Sequence, residues 1–439
     1  KTRRAEEIKK NWKKTLLEYS KYINSYKSQK PLESILKKVI SLELRRLRYS
    51  PQEQKKIVTY LEGHRILQTT SHTSPANTPR FFFIDWVHSL SLSKKDFFPV
   101  AMFSGVPFSN LTRPGRLHKK DGDINLIPSA MQDALVYGSK INDKIASNVA
   151  KLDPRIKKML PIAKAGASYT TWALKAAQKI EGSLLGGKPV FFDFNEVVKN
   201  YLLLALKDEK HPLSLLLFTE GNLKLLEDVF PDEVFFYKPT QNTKYETLDS
   251  YCLKGGALQS KKNKIVLTKE NLTRELQKNR RCVGLPIGFL IDAFLNDFLC
   301  VGSFAQIEYL PQYKEKFSKI PVLKNLIQNA PTGALITGGF IEHLSIAPLD
   351  IHLDKSIMLK SYENRLFGEA LLAIKDVLLY QNYSTKYEKS KIVKKNSTKT
   401  KVHFIGICGK GMSGLAIMLK QKGFIITGSD EGFYEPVIS

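Results

Sequence analysis

Toward the end of the chain, glycines recur at Gly406, Gly409, Gly411 and Gly414, directly behind the apolar run that opens at Val402. The set Gly409-x-Gly411-x-x-Gly414 has the spacing of a phosphate-approaching turn, in which missing Cβ atoms let backbone come close to an anion. Amide N–H groups at the start of the following helix would then hold the negative charge. The next stretch, MSGLAIMLKQKG, reads as an amphipathic helix closed by Gly423. FIITGSD then reads as a second strand with Asp430 at its tip. An acid about twenty residues beyond such a turn is placed to meet a ribose or base.

Other residue types capable of chemistry are scattered. His72 sits among Thr69, Thr70, Ser71, Thr73, Ser74 and Asn77, so the stretch from Gln68 to Asp85 could offer hydroxyls and amides to an anion. A turn-rich loop capping the helix behind it explains the same residues. Ser104, Asn110, Arg113 and Arg116 could clamp a carboxylate or phosphate. Glu308 stands in an apolar setting, where Ser303 as N-cap and Gln306 at N3 give a capped helix start. His343 and His352, with Glu342, Asp350 and Asp354, could be read as metal ligands. GSLLGGK at 182–188 fits GxxxxGK, but Pro189 stands where a Ser or Thr should meet magnesium, and a strand follows where a helix should, so it is no phosphate loop. Cys282 and Cys300 read as core residues; no cysteine pair has CxxC spacing, which argues against structural zinc and for a reducing, cytoplasmic setting.

These residues need elements to position them. Residues 1–60 read as basic helices: AEEIKKNWKKTLLEYSKYI places Ile8, Trp12, Leu16, Leu17 and Tyr19 near one face. From 61 to 380 short apolar runs alternate with helical stretches, the pattern of an α/β body. FFPVAMFSG, KPVFFDF, SLLLFTEG and DEVFFYK are read as strands, NEVVKNYLLLALKDE and NLKLLEDV as helices. Val283–Phe304 is the most apolar long stretch, yet it carries Asp292, Asn296 and Asp297, so it reads as a buried core helix and not a membrane span. Residues 381–400 form a basic, self-repelling linker, and 401–439 a strand–helix–strand unit. The fold class expected is α/β, a Rossmann-like body with extra helices followed by the first unit of a second Rossmann-like domain. The net charge of +26 would attract phosphates or nucleic acid. Lysines lie on nearly every polar face, however, and no RNA- or DNA-binding motif accompanies them, so nucleic acid is not the expected main partner.

HFIGICGKGMSGLA followed by GSDEGFYEP resembles the opening of the Mur ligase family, closest to its UDP-N-acetylmuramate-dependent members, the L-alanine ligase and the murein-tripeptide ligase. The resemblance implies a domain that binds the UDP end of a nucleotide-sugar. Gly409, Lys410, Gly411, Met412 and Ser413 would face phosphate, with Ser429 and Asp430 on the uridine side. It also implies ATP and magnesium for the complete ligase. Their GTxGKT loop is not found in these residues, so the chain is expected to be an incomplete piece of such an enzyme, with its catalytic residues unidentified. The body from about 65 to 320 faintly resembles the bacillithiol-synthesis cysteine-adding family, through the loop near 68, FPVAMFSGVPFSN and VGSFAQIEYLPQY. Three readings therefore stay open: a muramoyl ligase, a cysteine-adding enzyme in the body, and a non-catalytic anion- or nucleic-acid-binding protein.

Overall fold

The computed structural model describes residues 3–28, 30–110, 112–239, 249–302, 304–335, 346–354, 356–357, 359–370, 401–405 and 425–429. The chain divides into two compact units, Lys1–Asp376 and Val377–Ser439.

In the first unit, five strands make a parallel sheet: Ile66–Gln68, Phe97–Met102, Lys188–Asp193, Leu299–Gly302 and Ala334–Leu335. Numbered along the chain, their spatial order is 3-2-1-4-5. This is the order of a doubly wound Rossmann-like sheet, with the direction of winding reversing between the first strand and the fourth. Phe97–Met102 and Lys188–Asp193 pair over their full length, from Phe97 beside Lys188 to Met102 beside Asp193. Their near-continuous burial is what a sheet covered on both faces requires. A second, antiparallel sheet is built from Phe236–Lys238, Asp249–Leu253, Ala257–Gln259, Lys264–Val266 and Cys282–Val283.

Helix Ser34–Arg46 packs Leu36, Val39, Ile40 and Leu44 into one core with Val197, Val198, Tyr201 and Leu202 of helix Phe194–Ala205. Cys300 belongs to this core, and Cys282 is buried beside Leu135 and Tyr137.

Three expectations change. The first amphipathic stretch is two helices, Arg3–Asn11 and Leu16–Asn24, because Thr15 and Glu18 form a reciprocal capping box that starts a new helix. SLLLFTEG is not a strand: Pro212–Phe218 is helical, with Pro212 in the first turn and His211 accepting the Leu213 amide. Val283–Phe304 is not one helix. It passes from strand through helix Leu285–Phe289 into one π-helical turn, Leu290–Leu295, and ends in strand Leu299–Gly302. Gly284 lies against the Val234 and Phe235 carbonyls, and Asp297 takes φ +59°, so the chain turns at both ends.

The GSLLGGK stretch is a tight turn. A Cβ on Gly186 would run into the Ser89 carbonyl, while the Gly186 amide donates to Ser89 Oγ at 2.9 Å and Gly187 takes φ +70°. Gly186→Ala should therefore cost about 1–3 kcal/mol of unfolding free energy, read as a lower urea midpoint at unchanged slope. A midpoint equal to that of the parent would show that the turn has room.

The second unit is described by two parallel strands, Lys401–Ile405 and Ile425–Ser429, in register from Lys401 beside Ile425 to Ile405 beside Ser429.

Candidate functional site

In an open doubly wound sheet, ligands bind beyond the carboxyl ends of the strands, where the winding reverses. Here that point lies between Gln68 and Gly302. The segment leaving the first strand is the hydroxyl-rich loop, and it is deeply buried. Gln68 Oε1 accepts from the amides of Thr69 and Thr70 at 2.9 and 3.1 Å and from Thr70 Oγ1 at 2.7 Å. Thr69 Oγ1 meets the Val301 carbonyl and the Gln306 amide group, which ties the loop to the fourth strand across the switch point. Gln306 is the third residue of helix Phe304–Ser318, as expected, and its side chain braces the loop; Ser303, expected as the cap, lies outside the described residues.

Behind the loop lies an acidic pair. Asn77 Nδ2 donates to Glu181 Oε2 at 3.0 Å, Asp85 Oδ2 at 3.2 Å and Ser71 Oγ at 3.2 Å, and the Asn77 amide donates to Glu181 Oε1. Asp85 and Glu181 are fully buried, with no cation among their hydrogen-bond partners in the described residues. Burial pushes the Glu181 carboxyl up to about 7, and burial together with the Glu181 charge holds Asp85 well above the usual carboxylate range. Asp85 Oδ1 and Gln68 Nε2 are buried without a hydrogen-bond partner among the described residues.

A third polar group closes the second and third strands. Asn195 Oδ1 accepts from the Ser104 and Gly105 amides, both at 2.9 Å, and Ser104 Oγ donates to Asp193 Oδ1 at 2.7 Å. Asp193 also N-caps helix Phe194–Ala205, and burial pushes its carboxyl up to about 7. Its own amide donates to Glu43, which holds Arg46 through two bonds of 2.6 Å.

The edge is therefore rich in buried carboxyls whose hold on a proton burial strengthens, and poor in free donors. The amides of Thr69, Thr70, Ser104 and Gly105 are already taken by side-chain carbonyls, so the loop does not present them to an anion as its composition suggested. His72 donates from Nδ1 to Thr112 Oγ1 at 2.7 Å, since that hydroxyl gives its own proton to Asn110 Oδ1. Burial brings the His72 ring down to about 4, so it stays neutral.

The described residues of the other expected sites bond within the chain. Arg113 and Arg116 turn to Asp123, at 3.5 and 3.7 Å, and His118 joins them at 3.0 Å, so the supposed clamp already holds this chain's own carboxylate. Asp350 accepts the Ala347 and Lys120 amides, and His352 Nε2 bonds the Ile180 carbonyl at 2.6 Å. His343 and Glu342 lie outside the described residues, as do Gly409, Lys410, Gly411, Met412, Ser413 and Asp430. Ser429 is described: it ends its strand exposed, with Oγ 3.3 Å from His403 Nε2, whose Nδ1 lies 3.0 Å from Thr427 Oγ1. Among the described residues, no group of three or more His, Cys, Asp or Glu is placed to hold a metal, and no helix is long and apolar enough to cross a membrane.

Sequence reasoning missed Glu181, Asp193, Asn195 and Asp123. Only Asp193 carried a signal, an acid closing an apolar strand just before a helical pattern.

Fold and site together define an α/β protein of the Rossmann-like class with a buried, polar switch point. Residues 401–436 match the model of the Mur ligase family, catalytic domain. That segment is similar to a family of ATP-dependent ligases of peptidoglycan synthesis, and the match covers only the second unit. No curated protein matches the chain.

Proposed function

We propose that residues 401–439 bind the UDP end of a muramoyl nucleotide-sugar, as part of a ligase that joins UDP-N-acetylmuramate to L-alanine or a short peptide. The match at 401–436 carries this reading, and the strand pairing supports it. Parallel strands need a crossover of a dozen or more residues, and 406–424 supply it. Because Ile405 lies beside Ser429, the segments leaving both strands depart from one edge. In sequence, Gly409–Ser413 follow the first of these strand ends and Asp430 follows the second directly. In this reading Gly409, Gly411 and the amides of Met412 and Ser413 approach the diphosphate. Lys410 adds a positive charge, and Ser429 and Asp430 accept from the uridine. The GxxxxGK stretch does not fit ATP and magnesium, because it is a turn filled by the Ser89 carbonyl.

Calorimetry on the full chain tests the reading. UDP-N-acetylmuramate should bind saturably, and both Lys410→Ala and Asp430→Ala should weaken it about tenfold or more, the cost of one charge-assisted hydrogen bond. Binding that ignores both substitutions sinks it.

A second reading is favoured by the 3-2-1-4-5 order and its acidic edge: the first unit carries a small-molecule enzyme of its own, for which the bacillithiol-type cysteine-adding reaction is the alternative. It predicts ligand protection in residues 65–115, untouched by Lys410→Ala. An anion- or nucleic-acid-binding role for the +26 charge would show instead as affinity that falls steeply with salt and does not distinguish sugars.

A further inference from the structure

Where helix Ser34–Arg46 ends, it meets helix Tyr169–Ile180 through two polar contacts. Arg46 Nη1 donates to Thr171 Oγ1, and Tyr49 OH donates to Gln178 Oε1 at 3.3 Å. Thr171, Lys175 and Gln178 stand at i, i+4 and i+7, so they form one stripe, with Lys175 between the two contacts. Leu47 and Arg48 span the same gap, which brings Arg48 beside Lys175. The turn that does this is a Schellman motif: the Tyr49 amide bonds the Leu44 carbonyl and the Arg48 amide the Arg45 carbonyl, each at 2.9 Å. Its left-handed residue is Arg48, at φ +72°, a conformation that favours glycine.

Among the described residues, neither the Arg48 guanidinium nor the Lys175 ammonium makes a hydrogen bond or an ion pair. Arg48 is exposed and Lys175 half-buried, so a ligand can reach both. The neighbouring acids are committed elsewhere. Glu43 holds Arg46 and accepts the Asp193 amide, and Glu53 closes the Ser50 capping box. Burial, then the charges of Arg48 and Arg46, weaken the hold of Lys175 on its proton, with no carboxylate acting against them. A desolvated lysine, a second cation beside it and an arginine in a glycine-type backbone conformation each oppose folding. All three coincide at one accessible spot, and such local conflicts are expected where a ligand resolves them. We propose that this stripe binds a phosphate monoester dianion, with Arg48 and Lys175 as its charged donors. Two cations that repel each other in the free protein both pair in the complex, and the Arg48 fork fits phosphate oxygens two at a time. Lys179, exposed one turn further along the helix, adds to the positive field.

The test is calorimetric titration of the full chain with methyl phosphate, dimethyl phosphate and acetate, at pH 8 and constant ionic strength. Methyl phosphate should bind saturably, and the two single-charged probes at least about tenfold more weakly. Arg48→Gly and Lys175→Met should each weaken methyl phosphate about tenfold. Both variants should also melt at or above the parent temperature, because one relieves the left-handed backbone and the other the repulsion. A loss of binding would therefore not reflect a loss of fold. Lys264→Met, an exposed lysine elsewhere in the unit, and Lys410→Ala in the second unit should bind methyl phosphate like the parent. No saturable binding, a diester that binds as well as the monoester, or an Arg48→Gly or Lys175→Met variant that binds like the parent overturns the proposal. So does an equal loss on Lys264→Met or Lys410→Ala, which would assign the phosphate to overall charge or to the glycine turn. The proposal does not rest on residues 401–439, so its failure leaves the ligase reading untouched.

Discussion

Arg65→Ala should cost about 3–5 kcal/mol of unfolding free energy, the scale of a broken buried charged network. Arg65 is the largest fully buried side chain of the described residues. Its hydrogen bonds all go to backbone carbonyls: Asn296 at 2.9 Å, Leu61 at 3.4 Å, Glu62 at 3.5 Å, and Lys30. Leu61 and Glu62 belong to the last turn of helix Pro51–Gly63, where the carbonyls have no partners within the helix and the dipole favours a cation. The Arg65 carbonyl in turn accepts the Leu299 amide at 2.8 Å. One guanidinium therefore joins a helix end to two loops, and the backbone of the same residue bonds the strand Leu299–Gly302. Alanine would leave these carbonyls dry and unmatched. Lysine should lose less, about 1–3 kcal/mol, because a single ammonium cannot reach in the same directions as a planar fork. The exposed pair Lys37–Glu62 supplies the contrast: Lys37→Ala should change stability by less than ~1 kcal/mol. Urea unfolding followed by circular dichroism measures all three. A loss below about 1 kcal/mol for Arg65→Ala would mean that water reaches the site.

What was legible in the sequence follows the range of the forces involved. Phe97–Met102 and Lys188–Asp193 announced themselves, because a strand buried on both faces is apolar at every position. Pro212–Phe218 did not. A short apolar run looks alike in strand and helix, and the deciding signs were Pro212 in the first turn and the His211 cap. The Gln68–Asn77 loop stood out by its run of hydroxyls, but its use did not. Whether Thr69 and Thr70 offer their amides to a ligand depends on the Gln68 side chain folding back over them. Glu181 was invisible, since it lies far along the chain from Asn77 and only the packing of helix Tyr169–Ile180 brings it there. The Arg113 and Arg116 clamp was misjudged for a related reason. Both arginines were legible as anion binders, but the anion is Asp123, seven residues beyond Arg116 and across a small hairpin turn. Local pattern shows which groups exist; long-range packing decides which of them remain free.

Long-range packing also sets the behaviour of the acidic pair. A carboxyl whose folded value is raised binds its proton more tightly in the native state than in the unfolded chain. Below about pH 4.5 Glu181 is protonated in both states and carries no penalty. As pH rises from there toward about 7, the unfolded chain releases its proton while the native state keeps it, so stability falls. Above about 7 the native carboxyl ionises too, and the loss levels off. Asp85 acts in the same direction, and because both acids share Asn77, their effects should not simply add. Glu181→Gln should remove this dependence. Its amide oxygen can still accept from the Asn77 backbone, and Asn77 can turn its own oxygen toward the new amide group. Melting temperature measured against pH should therefore show the variant gaining on the parent by roughly 1–3 kcal/mol between pH 4.5 and 7, then holding a constant lead. Asp193, which titrates in the same window, is present in both proteins and cancels in the comparison. A difference between variant and parent that stays flat from pH 4.5 to 8 would mean that Glu181 is ionised throughout, and that a cation unseen among its protein partners sits beside it. The pair would then be an ion site at the switch point instead of a stored proton.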